Sequence, residues 1–242
     1  MSRSNPNQNS PSPSTRWFEW RGGSGNVRYY DKEKREAVEV PVSAEKPFKF
    51  IVLDKLATVK GYSKRVGNIF ANEVRDTRVE PFVVKSKIGG KVAEGLWADI
   101  KDKVKVAKGG FCLSLYIGYR SVAGELAIGV LQLKGCSLGP WFEFEKDCRD
   151  GVWKKGVCIN GFTTDTTGEV EFAVPTFKVV DITPESDAQA KGLDVALQGY
   201  FNSYFSKPTA ARAEEPQPAH EPEPAGTEPE PPSGPEDDSV PF

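Results

Sequence analysis

The chain has 242 residues, of which 38% are hydrophobic and 27% are charged, and its formal net charge is −2. This length suits one domain of ordinary size with extended ends, or at most two small domains. No run approaches the roughly 18 apolar residues of a membrane helix, and no apolar stretch follows Arg3. We therefore expect a cytoplasmic protein without a membrane span or a secretory signal.

Both ends of the chain differ in composition from its middle. Residues 1–15 consist largely of Ser, Pro and Asn, and residues 208–242 largely of Pro, Glu, Ala and Gly. Neither segment can bury enough apolar surface to offset the entropy lost on ordering. We therefore predict a folded domain over residues 16–207, between disordered segments at 1–15 and 208–242.

Charge divides sharply along the chain. Residues 208–242 hold nine acids and one base, Arg212, for a net charge of −8, whereas residues 1–207 hold 31 bases and 25 acids, for a net charge of +6. A basic body with an acidic tail often accompanies nucleic-acid binding, but many soluble domains also reach +6. Charge alone leaves both interpretations open.

Short alternating runs of apolar residues predict many strands in the body. The predicted strands are, in chain order, residues 27–30, 37–40, 48–53, 82–85, 91–93, 111–119, 126–133, 170–174 and 177–182. The charged stretch 31–36 and the pair Gly89-Gly90 mark the turns of two hairpins.

Two segments have helical periodicity. Leu96, Ile100 and Val104 recur at helical spacing over residues 96–105. Thr183 is a good N-cap, and Pro184 suits the first position of a C-terminal helix. The stripe expected to pack this helix on the sheet is Leu193, Leu197, Tyr200, Phe201 and Tyr204. The pattern is mainly β and predicts an OB-fold-like Greek-key β-barrel with added strands and a C-terminal helix, with another β-rich α+β fold as the alternative.

Residues that carry catalysis or bind metals are sparse. The only histidine, His220, lies in the acidic tail, and the four cysteines lack the C-x-x-C spacing of a zinc site. Asp99 and Lys101 form the D-x-K of some nucleases, but residues two apart on a helix do not share a face. We therefore expect no metal, no cofactor and no enzymatic activity.

Basic and aromatic residues are interleaved at three places in the body. The first cluster spans residues 16–30, the second is an expected loop at 60–65, and the third lies near residues 116–120. The glycine-rich residues 22–25 lack the Lys-Ser/Thr of a phosphate-binding loop and predict a flexible loop. Trp97, Trp141 and Trp153 have apolar neighbours and are expected in the core.

The last residues of the chain combine acidic groups with one aromatic anchor. Asp237, Asp238 and the terminal carboxylate can pair with Lys or Arg on a partner, and Phe242 can enter an apolar pocket beside those bases. We expect Asp237, Asp238, Val240, Pro241 and Phe242 to form a partner-docking motif. The alternative is a tail that only keeps the protein in solution.

The ending Asp237-Asp238-Ser239-Val240-Pro241-Phe242 resembles the acidic tip of bacterial single-stranded DNA-binding proteins, which end in aspartates, an apolar residue, Pro and Phe. The likeness covers these six residues and the Pro-rich linker before them. In the body, residues 17–21 and 27–32 resemble single-stranded DNA-binding proteins of tailed phages. The resemblance implies a protein of the bacterial host's cytoplasm that coats single-stranded DNA without base specificity during replication, recombination and repair. It also implies that the tip recruits proteins of those processes.

Single-strand binders combine cations that follow the phosphates with flat rings on which bases stack. The residues predicted to contact DNA are Arg16, Trp17, Trp20, Arg21, Arg28, Tyr29, Tyr30, Lys60, Tyr62, Lys64, Arg65, Tyr116, Tyr119 and Arg120. For any one ring, burial in the core is the alternative. An RNA-binding module of the same fold and an interaction protein that binds no nucleic acid stay open as alternative functions, and the oligomeric state is open as well.

Overall fold

A computed structural model describes residues 12–31 and 33–213 of the chain. In this part, one mixed sheet contains all eleven strands, and five α-helices and one short 3-10 helix (Gly135–Ser137) accompany it. The strands are β1 (Arg16–Arg21), β2 (Asn26–Asp31), β3 (Glu36–Pro41), β4 (Phe48–Ser63), β5 (Gly67–Ala71), β6 (Phe82–Ser86), β7 (Gly90–Gly95), β8 (Gly109–Arg120), β9 (Leu126–Lys134), β10 (Gly156–Thr167) and β11 (Val170–Val180). The helices are α1 (Trp97–Val106), α2 (Leu138–Cys148), α3 (Gly151–Lys154), α4 (Pro184–Phe205) and α5 (Thr209–Arg212).

The 16-residue strand β4 is the centre of the sheet. One edge of β4 pairs with β8, and the other edge pairs with β10 near Phe48 and with β5 near Ser63. Neighbouring strands follow the order β3-β2-β1-β9-β8-β4-β5-β6-β7. Within the described residues, β1 and β9 are a parallel pair and the other strand pairs are antiparallel.

This architecture confirms a mainly β fold with a C-terminal helix, but it does not confirm the expected OB-like barrel. In the described part of the chain, the main path of strands ends at β3 and β7, which are not neighbours, so the sheet is not closed. Beyond β4, whose second edge is shared by β10 and β5, the paired strands continue to β11 on one side and to β7 on the other, and neither of these pairs with β3.

Several local predictions are confirmed. β2 and β3 form one predicted hairpin, and β6 and β7 form the other around Gly90, whose φ of +72° suits glycine. Helix α1 buries Ile100 and Val104 as expected. Helix α4 begins after Thr183, whose hydroxyl accepts a hydrogen bond from the Ser186 amide at 3.2 Å. The cap and the apolar stripe therefore identified this helix correctly.

Other segments differ from the predictions. Residues 170–182 were expected to form two strands, yet β11 is continuous through Pro175, which stays in register opposite Phe162 of β10. Residues 60–65 are not a separate loop but the end of β4 and its tight turn into β5. The strand β1, the strand β10 and the helix α2 lie where the sequence had predicted no regular element.

The folded body extends beyond its predicted end at residue 207. Helix α5 lies in the segment that was assigned to the tail, and the Arg212 side chain is buried. Its guanidinium donates a hydrogen bond to the Glu73 carbonyl at 3.3 Å and lies 5.6 Å from the centre of the Tyr204 ring. The single base among residues 208–242 therefore fixes the start of the acidic segment to the domain.

The sheet is covered on both faces. On the first, here called the core face, Phe18 and Leu131 pack with Trp141 of α2 and Ile159 of β10. On the opposite face, here called the α4 face, Leu197 and Phe201 of α4 pack against sheet residues. Those sheet residues include Leu56, Tyr116, Ile128 and Val130. Helix α4 thus covers the middle of the α4 face but not the strands on either side of the helix.

The three tryptophans expected in the core have different environments. Trp141 is fully buried, and Trp97 is partly buried against the cluster around α1. The expectation is wrong for Trp153, which is 45% exposed. Helix α3 has only four residues, and it turns Val152 inward, so the neighbouring ring points away from the core.

Candidate nucleic-acid interface

Strand alternation divides the first predicted cluster between the two faces of the sheet, because successive side chains of a strand point to opposite sides. Trp20 lies on the core face and is buried, with its Nε1 donating to the Ala173 carbonyl at 2.9 Å. Arg16 also belongs to this side, where its guanidinium lies 4.4 Å from the centre of the Tyr29 ring. Trp17 and Arg21, at the intervening positions, belong to the α4 face.

The third predicted cluster belongs mainly to the interior. Tyr116 is buried under α4, and its hydroxyl donates to Glu73 Oε2 at 2.6 Å. Tyr119 is buried on the core face, where its hydroxyl lies 2.9 Å from that of Thr15. Arg120 is exposed at the end of β8 and donates to the Gly124 carbonyl. Trp20, Tyr116 and Tyr119 therefore pack the fold, and their rings are not available for bases to stack on.

The glycine-rich residues between β1 and β2 form a defined turn. The Gly25 amide donates to the Arg21 carbonyl at 2.8 Å, and its φ is +66°. A side chain at Gly25 would meet the ring of Phe162 at 2.5 Å, so this position needs glycine for both its backbone angle and its contact. The turn sets the alignment of β1 with β2, and that alignment places Arg28 opposite Glu19.

The register of the strands brings distant residues together on the α4 face, since paired residues of neighbouring strands point to the same side. Arg28 of β2 lies opposite Glu19 of β1, which lies beside Gln132 of β9. Two residues further along β9, Lys134 lies opposite Cys112 of β8. This row places the cations of β1, β2 and β9 on one side of the sheet.

A second row continues the same face across β4 to β7. Lys60 of β4 lies opposite Phe70 of β5, Phe70 lies opposite Lys85 of β6, and Lys85 lies opposite Lys91 of β7. Tyr62 follows Lys60 at the next position on this face, opposite Asn68. Lys64 and Arg65 are exposed in the turn that follows β4. The second predicted cluster therefore lies on the same face as part of the first.

We call the polar part of the α4 face the basic surface. It consists of Arg21, Arg28, Lys60, Lys85, Lys91 and Lys134, together with the rings of Tyr62 and Phe70. The acids Glu19, Glu39 and Glu94 lie beside it on the same face, and Asp54 and Glu73 lie next to Tyr116 under α4, so the six cations outnumber these five acids by one. The surface crosses the eight strands from β2 to β7, and seven steps of about 4.8 Å give it a length of roughly 34 Å.

Three cations of the basic surface interact with one buried acid. Glu19 is 4% exposed, and Arg28 Nε donates to its Oε1 at 2.8 Å. Arg21 Nη1 lies 3.5 Å from the same oxygen, and Lys134 Nζ lies 3.9 Å from the other. One carboxylate thus holds three cations that come from β1, β2 and β9.

Burial shifts the pKa of Lys60, a member of the basic surface, and that of Glu73 beside it. Burial lowers the pKa of Lys60, and the nearby charge of Lys134 adds to the shift while Cys112 and Glu73 oppose it. Burial raises the pKa of Glu73 against the hydrogen bond from Tyr116. A phosphate next to Lys60 would favour its charged form, because an opposite charge offsets the loss of hydration. The lysine is therefore set to gain from an anionic ligand.

Four members of the basic surface were missed by the sequence analysis, namely Phe70, Lys85, Lys91 and Lys134. A signal for two of them was present. Lys134 continues the polar positions of β9 after Gln132, and Lys85 breaks the apolar run of β6. Their common face depends on strand pairing, which cannot be read from either segment alone. The predicted docking residues Asp237, Asp238, Val240, Pro241 and Phe242 lie outside the described residues.

Other kinds of site are not seen in the part of the chain that the structure describes. Over residues 12–31 and 33–213, no three His, Cys, Asp or Glu side chains are grouped so that they could hold a metal ion. All four cysteine thiols are free, and burial raises the pKa of the Cys112 thiol to about 12. Among these same residues, no helix has the length and apolar character needed to cross a membrane. Comparison with protein-family models, curated proteins and solved structures finds no match to this chain.

Proposed function

We propose that the chain binds single-stranded DNA without base specificity, with its phosphates along the basic surface and its bases on the neighbouring rings. The observation that carries this proposal is the convergence of six cations from six strands on one face, next to Tyr62 and Phe70. Cations and flat rings side by side suit an unpaired strand, because a base inside a duplex cannot expose its face for stacking.

We further propose that the protein acts in the bacterial cytoplasm during DNA replication, recombination and repair. The acidic ending with its terminal Phe242 supports this part of the proposal. Its carboxylates suit a basic surface on a partner protein, and Phe242 suits an apolar pocket in that surface. The tip is the end of a 29-residue segment that follows Ala213, and a flexible peptide of that length spans on the order of 30 Å. This length is enough for a terminal motif to meet partners beyond the bound DNA.

Competitive binding tests the proposed function. Labelled oligo-dT is bound first and then displaced by oligo-rU or by duplex DNA of equal length. We expect oligo-dT to bind most tightly, with affinity falling by about 0.7 log units per phosphate contact for each tenfold rise in salt. Preference for oligo-rU would identify an RNA-binding module, and no binding of any strand in dilute buffer would contradict nucleic-acid binding altogether.

The acidic segment after α5 is expected to weaken DNA binding. It carries nine acids and neither Lys nor Arg, and it is tethered to a domain whose α4 face is basic. A tethered polyanion competes at high effective concentration. Removal of residues 214–242, which leaves Arg212 and α5 in place, should tighten oligo-dT binding by about three- to tenfold at low salt.

A full-length variant in which the nine acids are replaced by Gln or Asn serves as the control for this deletion. It keeps the length of the segment and removes its charge, so it should tighten binding as much as the deletion does. Unchanged or weaker binding of both proteins in fluorescence anisotropy titrations would refute competition by the tail.

A further inference from the structure

Glu19 contacts three of the six cations of the basic surface. Its side chain is 5% exposed, whereas those of Arg21, Arg28 and Lys134 are 17%, 19% and 43% exposed. The acid therefore lies beneath the cations, and the cations lie between it and the solvent. The buried carboxylate therefore holds the three cations in place, and their positive charge faces the solvent.

A buried carboxylate requires a partner, because its removal from water is costly unless a charge or several hydrogen bonds compensate. Arg28 meets that need by donating through both Nε and a terminal nitrogen to Glu19 Oε1. Arg21 and Lys134 add two further cations around one negative charge. The cluster has a net charge of about +2. One cation would be enough to neutralise the Glu19 carboxylate, so two positive charges are in excess.

A phosphodiester group is the ligand whose chemistry matches this cluster. It carries one negative charge and several acceptor oxygens, and guanidinium groups bind such oxygens through paired hydrogen bonds. Trp17 and Tyr30 lie on the same face, two residues from Glu19 and Arg28 along β1 and β2. That separation is about 7 Å, so a ring and a phosphate-binding group lie within reach of one nucleotide.

We infer that Arg21, Arg28 and Lys134 form a subsite for one backbone phosphate of the DNA, and that Glu19 holds the three cations together while its own charge competes with the phosphate for them. This inference rests on the proposed function. It goes beyond that function by assigning one phosphate contact to a defined cluster and by giving the buried acid a role in binding.

The test compares Glu19→Gln with Glu39→Gln in the full-length protein. Glutamine at 19 still accepts a hydrogen bond from Arg28 but removes the competing negative charge. Glu39 lies opposite Arg28 on β3, is exposed and accepts a hydrogen bond from Asn26, so its replacement removes the same charge from an exposed position beside the cluster and leaves the buried acid in place. Oligo-dT affinity is measured from 50 to 300 mM salt, and unfolding by urea is measured for each protein.

We expect Glu19→Gln to steepen the dependence of log affinity on log salt by about 0.7, which corresponds to one further released counterion. Affinity at low salt should rise about three- to tenfold. Glu39→Gln should change the slope by less than half as much. Arg28→Gln should make the slope of log affinity against log salt shallower by about 0.7. This variant is a second test of the subsite if Glu19→Gln does not fold.

The outcomes separate this inference from the proposed function. If the wild type binds oligo-dT but Glu19→Gln and Glu39→Gln change the slope equally, or Arg28→Gln retains the wild-type slope, the cluster only stabilises the fold and the subsite is wrong. If the wild type itself binds no single strand, the proposed function fails and the subsite fails with it.

Discussion

Replacement of Lys60, Lys85 and Lys134 by Gln should lower the affinity for oligo-dT by about 100-fold or more at low salt. The three lysines come from β4, β6 and β9 and lie on one face of the sheet only because of the strand register. Loss of three phosphate contacts should also reduce the slope of log affinity against log salt by about 2. Fluorescence anisotropy over a range of salt concentrations measures both quantities.

The matched control replaces Lys154, Lys155 and Lys191 by Gln. These lysines carry the same total charge but form exposed ion pairs with Asp150, Asp181 and Asp187, away from the basic surface. Exposed pairs of this kind contribute little to stability, so the control should fold normally. A loss of affinity as large in the control as in the test variant would show that net charge, and not the basic surface, governs binding.

Phe201→Ala should lower the free energy of unfolding by about 3 to 5 kcal/mol, because it removes a large ring from a closed environment. Phe201 is 1% exposed, and its ring centre lies 4.8 Å from that of Tyr116 in an edge-to-face contact. Its other neighbours include Arg75, whose guanidinium lies 5.1 Å from the ring centre. Urea unfolding followed by tryptophan fluorescence measures the effect.

Val195→Ala on the same helix is the control for this prediction, since Val195 is 73% exposed. It should change the free energy of unfolding by no more than about 0.5 kcal/mol. Equal effects of the two substitutions would mean that α4 does not depend on its packing against the sheet. In that case the α4 face would lack the cover that this helix gives to the middle of the sheet.

Local sequence signals were sufficient for the elements whose boundaries depend on nearby residues. Thr183 and Pro184 identified the start of α4, and the spacing of Ile100 and Val104 identified α1. Gly90 and its neighbours identified the turn between β6 and β7. In each case, the side chains that define the element lie within a few residues of one another, so pairing with distant segments was not needed.

The candidate site was less predictable because it depends on long-range pairing. The sequence grouped Arg16, Trp17 and Trp20 as one cluster, but β1 is a strand and therefore sends them to different faces. Lys134 and Glu19 are 115 positions apart and meet only because β1 pairs in parallel with β9. No local pattern predicts that pairing, and no local pattern predicts that the sheet stays open between β3 and β7.

The central claim is that unpaired DNA lies on the basic surface, and photo-crosslinking tests it most directly. An oligonucleotide containing 4-thiothymidine is bound to the full-length protein, irradiated and mapped by mass spectrometry. We expect crosslinks at aromatic residues on the α4 face, namely Trp17, Tyr30, Tyr62 and Phe70. Crosslinks confined to Trp153 and Phe162, which are 45% and 47% exposed and belong to α3 and β10, would contradict the account.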